Sequence, residues 1–237
     1  MKKHLLSWAT LLVGVATLFS CSDDEPSGPK YYQKTYSNGA VVVCAGNQHD
    51  AIDGSLTMID YANSKAVGNY FEAANGRKLG LTANDGLVYG SKMYVVVDKE
   101  NTLEVIDLKT QKSTQVKLTE LMGTDKGVSP RHIISGAGCV WLTTYGTSKG
   151  GGHGYVAQID TTNLKLKKNY DVGSYPEGLL GIGTDIYVAN SDYGHGKGTI
   201  SCVNLSSGTT TTYSIEGIEN PKYVYYGTDG RFYVLDA

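Results

Sequence analysis

Residues 176–215 read PEGLLGIGTDIYVANSDYGHGKGTISCVNLSSGTTTTYSI. Four short runs of β-branched, apolar and aromatic residues stand out: Leu179–Ile182, Ile186–Asn190, Thr199–Asn204 and Thr210–Ile215. Gly183-Thr184-Asp185, the Gly-rich run from Ser191 to Gly198, and Ser206-Ser207-Gly208 separate them. Strands on a half-buried sheet need the first kind of residue, and tight turns need the second. The stretch therefore predicts four strands joined by turns. One such sheet cannot cover both of its faces, so the fold depends on whether the unit recurs.

It recurs. The aromatic of the second strand is Tyr94, Trp141, Tyr187 and Tyr233, at spacings of 47, 46 and 46. The third strand ends in an apolar residue followed by Asp or Asn: Ile59-Asp60, Ile106-Asp107, Ile159-Asp160 and Val203-Asn204. Pro130, Pro176 and Pro221 open first strands, 46 and 45 apart. A period in the forties with four strands per unit predicts an all-β fold, a β-propeller of four-stranded blades. The first unit is partial, with strands over Ala40–Cys44, Ser55–Asp60 and Ala66–Phe71. The second runs from Thr82 to Leu118, the third from Pro130 to Val172 and the fourth from Pro176 to Ile215. A fifth starts at Pro221 and holds two strands. About four and a half blades are present, and the expectation is a propeller truncated at its C-terminus, since a closed ring leaves no raw edge.

The chain has 237 residues, 30 of them Gly and 18 Tyr, which suits many tight turns and flat strands. With Lys2 and Lys3 set aside, 19 basic and 23 acidic residues remain, and no basic stripe interleaved with aromatics occurs. Nucleic acid is therefore not expected as a partner. Residues 1–20 read as a secretory signal: a basic start, then an apolar run from Leu5 to Phe19 too short to span a bilayer comfortably. Leu18-Phe19-Ser20-Cys21 resembles a bacterial lipobox, which implies lipidation of Cys21 and contact with the membrane through the lipid anchor alone. The acidic Ser22-Asp23-Asp24-Glu25 looks like the tag that directs lipoproteins of Bacteroidota to the cell surface at the outer membrane. Residues 21–35 read as a flexible tether and 36–237 as the propeller.

In a propeller, the loops from second to third strands and from each blade to the next gather on one face, around the mouth of the central channel. Here those loops are the ones that break the repeat. Asn47 and His49 lie in the first, Tyr145 and His153 flank the second (with Gly150-Gly151-Gly152 inside it), and Tyr193, His195 and Lys197 lie in the third. Asn84 and Asp85 follow the opening of the second blade, Arg131 and His132 the third, Glu177 the fourth, and Lys222 and Tyr223 the fifth; Tyr175 precedes Pro176. Exposed tyrosines offer contact area with few rotors to freeze, and the charged residues suit polar ligand groups, so these residues without Lys197, fourteen from Asn47 to Tyr223, are the candidate ligand contacts. The charged ones have a second reading, as pairs that satisfy one another. The histidines lack metal-ligand spacing, and neither a metal nor a cofactor is expected. Tyr94, Trp141, Tyr187 and Tyr233 hold the repeat position and are expected in the core. Asp60, Asp107, Asp160 and Asn204 recur too and are expected to bond the backbone of turns. Cys44, Cys139 and Cys202 lie on different blades and are expected as buried free thiols. No motif for a catalytic nucleophile or a zinc-bound water occurs, and no catalytic residue is expected.

Pro176-Glu177-Gly178, Ile186–Ser191 and Thr199–Leu205 resemble the YVTN-type repeat. Gly80–Asp85, Tyr89–Tyr94 and Thr102–Asp107 are similar to the YncE-like surface lipoprotein propellers of gut Bacteroidota, as is Asn47–Ser55. The resemblance covers residues from about 40 onward. Some members of that group, the BtuG type, capture cobalamin at the cell surface and pass it to a transporter. It implies capture of a small-molecule nutrient, a corrinoid among the candidates, for a TonB-dependent outer-membrane transporter. A protein- or glycan-binding adhesion module and a propeller lyase or lactonase are the alternatives.

Overall fold

A computed structural model describes residues 39–147, 153–195 and 197–237. The signal, Cys21, the tether and Gly150-Gly151-Gly152 lie outside them. Among the described residues, seventeen strands form five antiparallel sheets, each a meander in chain order and none closed on itself. The first blade holds β1 (Gly39–Cys44), β2 (Ser55–Asp60) and β3 (Lys65–Val67). The second holds β4 (Ala83–Tyr89), β5 (Lys92–Val97), β6 (Thr102–Asp107) and β7 (Ser113–Lys117). The third holds β8 (Pro130–Gly136), β9 (Cys139–Thr144), β10 (Gly154–Asp160) and β11 (Leu166–Val172). The fourth holds β12 (Pro176–Ile182), β13 (Asp185–Asn190), β14 (Thr199–Asn204) and β15 (Thr209–Ser214), so the opening stretch is indeed a four-stranded sheet. β16 (Pro221–Tyr226) and β17 (Phe232–Asp236) form the fifth sheet.

The core lies between blades. Side chains alternate across a strand, so β5 turns Met93, Val95 and Val97 towards the first blade and Tyr94 and Val96 towards the third, and all five are buried. Trp141 and Val188 join the third blade to the fourth in the same way. A strand covered on both faces explains why KMYVVV is nearly continuous in apolar residues instead of alternating. The repeated acidic or amide residues do bond turn backbone: Asp107 accepts from the N–H groups of Lys109 and Thr110, Asp160 from Thr162, Asn204 from Ser207 and Asp60 from Asn63.

Three expectations need correction. Ala66–Phe71 is not one strand: β3 stops at Val67, and α1 (Tyr70–Asn75) follows. Asn69, with φ 52°, turns the chain after Gly68, and Tyr70 and Phe71 are both buried in the same cluster. A strand would send two successive residues to opposite faces, whereas successive residues of a helix can reach one core. Tyr233 is 46% exposed on β17, an edge strand, although Tyr94 at the matching position is fully buried. Among the described residues no further strand covers it. Cys44 is exposed, while Cys139 is buried and Cys202 is half-buried; all three are free thiols.

Candidate functional site

The site is built by one backbone irregularity repeated four times. Each inner strand carries an extra residue just past its start, between Ala83 and Asp85, Pro130 and Ile133, Pro176 and Leu179, and Pro221 and Tyr223. A bulge of this kind bends the strand and re-aims a side chain. In three blades the residue before it has positive φ: Thr82 at 62°, Ser129 at 55° and Tyr175 at 50°. That conformation is costly for side-chain-bearing residues, on the order of 1–3 kcal/mol each. It is held because their carbonyls accept from the N–H groups of Asp98, Tyr145 and Ser191, the residues that follow the second strands.

The result is that four blades place unlike polar residues at one level, Asn84-Asp85, Arg131-His132, Glu177-Gly178 and Lys222-Tyr223, and these meet. Glu177, only 2% exposed, is the centre. Its carboxylate accepts from Tyr145 Oη at 2.5 Å, Arg131 Nε at 3.1 Å and Lys222 Nζ at 3.1 Å. Arg131 also reaches Asp98 at 3.4 Å and lies over the Tyr145 ring, 4.9 Å from its centre. His132 sits between two carboxylates, 3.2 Å from Asp85 through Nδ1 and 3.8 Å from Glu177 through Nε2, with Tyr223 edge-on at 5.0 Å. Asp85 accepts from the Ile133 N–H as well, and Asn84 donates to the Pro130 carbonyl. Alternating charges thus step from blade to blade in the order Asp98, Arg131, Glu177, Lys222.

Burial acts against a charged Glu177, but the Arg131 charge, the Tyr145 hydroxyl and the Lys222 charge outweigh it and hold the carboxyl below its ordinary pKa. Burial likewise opposes the charge on Arg131, yet Glu177, Tyr145 and Asp98 leave its pKa above the usual arginine value. Burial and then the Glu177 charge push the Tyr145 phenol well up. At neutral pH the centre is a carboxylate, two cations and a neutral phenol in fixed positions.

Beside this centre lies an aromatic step. Tyr145 packs edge-on against Tyr175 at 4.9 Å, Tyr175 is tilted against Tyr193 at 5.2 Å, and His195 lies 6.4 Å from Tyr175. Lys222 Nζ is 5.9 Å from the Tyr193 ring centre. Asp192 (φ 46°) and Tyr193 (φ 52°) both take left-handed backbone, and the Tyr193 N–H is held by Ser191 Oγ at 3.2 Å. This turn leaves Tyr193 64% exposed.

Of the fourteen candidates, Asp85, Arg131, His132, Tyr145, Tyr175, Glu177, Tyr193, His195, Lys222 and Tyr223 form one continuous contact chain, and Asn84 anchors its rim. For Arg131, Glu177 and Lys222 the structure realises the reading in which they satisfy one another. Asn47 and His49 lie elsewhere: Asn47 closes its own turn, accepting from the His49 N–H and donating to Asp50. His153 precedes β10 beside the outer strands. Asp98 belongs to the centre but was not among the candidates. It stands 47 and 93 residues before Tyr145 and Ser191, so the second-strand ruler, carried one position past the strand end, marks it. Among the described residues no group of three His, Cys, Asp or Glu side chains gathers to hold a metal ion.

Solved structures with the same architecture include Kuenenia stuttgartiensis hydrazine synthase, at 17% identity and TM-score 0.57, covering 74% of this chain and 47% of that one. A chain of a nidogen/laminin complex is 16% identical at TM-score 0.53, covering 78% and 65%. The computationally designed Ika8 protein is 8% identical at TM-score 0.52, covering 77% and 52%. At these identities the likeness is one of fold, a β-propeller, and the chain spans roughly half to two thirds of their lengths. No curated protein matches. Residues 38–170, more than half of the chain, match the model of a domain of unknown function, DUF5074, and the chain belongs to that family.

Proposed function

We propose that this propeller is a binding module whose ligand seats on the aromatic step and touches the charged centre below it. One observation carries the reading: residues that break the repeat, drawn from the fourth and fifth blades and the link before the fourth, converge where Tyr193 is exposed beside Tyr175, His195 and Lys222. The scaffold needs only its period; it has no need of an exposed tyrosine held in left-handed backbone. Strain of this kind collects at ligand clamps. Tyrosine faces and a half-exposed ammonium suit a planar ligand bearing hydrogen-bonding or anionic groups.

The signal-like residues 1–20 and the lipobox-like Cys21 support a lipid anchor at the cell surface, and the resemblance of the blades to surface propellers supports capture of a nutrient for an outer-membrane transporter. A corrinoid, with its planar ring, amides and phosphate, is the first candidate. Calorimetry with cyanocobalamin tests it. A saturable heat at micromolar ligand, lost in the Tyr193→Ala, His195→Ala double variant, is expected. Absence of heat from the wild-type protein rejects the corrinoid. Undiminished heat in the double variant rejects the aromatic step as the seat.

A further inference from the structure

Away from the mouth, a cleft of about 560 Å³ runs between the outer parts of the third and fourth blades. β11 forms one wall and β15 the other; they belong to different sheets and are not hydrogen-bonded to each other. The volume lies in the range of small-molecule sites, about 300–1,000 Å³.

Polar groups continue from the cleft into the protein. Thr212, on one wall, has its hydroxyl 2.8 Å from Ser201 Oγ, which also accepts from the Gly173 N–H and from Asn190 Nδ2. Asn190 is 1% exposed, and its Oδ1 has no protein partner. Gly173 lines the cleft directly in front of it. A Cβ there would meet Asn190 Cγ and Nδ2 at 2.7 Å, so the glycine lets the amide stand close behind the wall. Asn169, also in the lining, has a second buried amide oxygen without a partner. At the other end, Gly208 leaves room for Lys168, whose Nζ donates to the Gly208 carbonyl at 3.2 Å and lies 4.8 Å from the Tyr170 ring centre.

The lining charges are Lys168 and Asp171, which cancel; the other polar members include Asn169, Thr210, Thr212 and His153. Ammonium, carboxylate, amide and hydroxyl groups mixed in this way favour neither an anion nor a cation. They match a ligand whose every functional group both donates and accepts, which is the chemistry of a sugar hydroxyl. We infer that this cleft is a second binding site, separate from the mouth, that takes a short neutral oligosaccharide.

Saturation-transfer NMR on the wild-type protein with millimolar maltose, cellobiose and diacetylchitobiose tests this. Transfer to at least one of the three is expected. Thr210→Trp, which fills the cleft from a half-buried wall position, abolishes it. Lys168→Ala, an exposed change that keeps the fold, weakens binding about tenfold, as loss of one hydrogen bond from a charged group should. If Thr210→Trp does not fold, Lys168→Ala decides alone. Absence of transfer to all three sugars overturns the inference, as does transfer that survives the deciding variant unchanged.

Discussion

Replacing Glu177 by Gln changes one atom in shape and one unit of charge. The side chain is 2% exposed and receives Arg131, Lys222 and Tyr145 at 2.5–3.1 Å. Glutamine keeps one carbonyl acceptor and turns a donor towards groups that are themselves donors. Lys222 then faces no carboxylate, and Arg131 keeps only Asp98 at 3.4 Å, although both cations are less than a third exposed. Removing one partner of a buried ion pair costs about 3–5 kcal/mol. Residual exposure of both cations argues for the lower end, about 3 kcal/mol, which for a domain of this size lowers Tm by roughly 6–12 °C. Chemical denaturation of wild type, Glu177→Gln, Lys222→Met and the double variant measures it. The double variant should be more stable than the sum of the single losses predicts, because it no longer leaves Lys222 unpaired. The pH dependence has a definite sign. The folded pKa of Glu177 lies below its ordinary value of 4.5, so its stabilisation is complete above that value and fades as pH falls through the folded pKa. The gap between wild type and Glu177→Gln should therefore be widest near neutrality and narrow in acid. A loss under about 0.5 kcal/mol, the level of an ordinary surface change, refutes the central role of this carboxylate. So does a gap that widens in acid.

A second buried carboxylate gives an independent check. Glu104, fully buried on β6, accepts from both terminal guanidinium nitrogens of Arg77, from Ser113 Oγ and from Gln115 Nε2 beneath α1; Glu104→Ala should cost about 3 kcal/mol or more in denaturant titration, while leaving ligand binding at the mouth intact in the folded fraction. Tyr94→Ala should lose about 3–5 kcal/mol as a large core truncation, whereas Tyr193→Ala should stay within about 0.5 kcal/mol of wild type; a costly Tyr193→Ala would make that ring scaffold. In a Cys21→Ser background, Cys44 should react with a maleimide in the native protein and Cys139 only after unfolding, read by mass spectrometry of the labelled peptides.

The scaffold was legible because it is periodic. Tyr94, Trp141 and Tyr187 recur for one reason, the geometry of the second strand, and so do the turn residues Asp107, Asp160 and Asn204. Local rules misled where two neighbours served one core: Tyr70 and Phe71 look like strand residues, yet a left-handed Asn69 and burial of both rings select a helix. Arg77 and Glu104 carry no common period, and only α1 folding back over the second blade brings them together.

The mouth divides the same way. By itself, the sequence determined which positions break the repeat: Arg131, Glu177 and Lys222 after the blade-opening prolines, and the loop Ser191–Lys197. Their partners were decided by tertiary structure. The distances between blades depend on how the sheets stack and on the bulge at the head of each inner strand, and neither is encoded in local pattern. The same three residues could have faced solvent. Stacking set them at a common level, so Glu177 became the buried acceptor of two cations and a phenol, Asp98 joined from a neighbouring blade, and Tyr193 was left in the open above them.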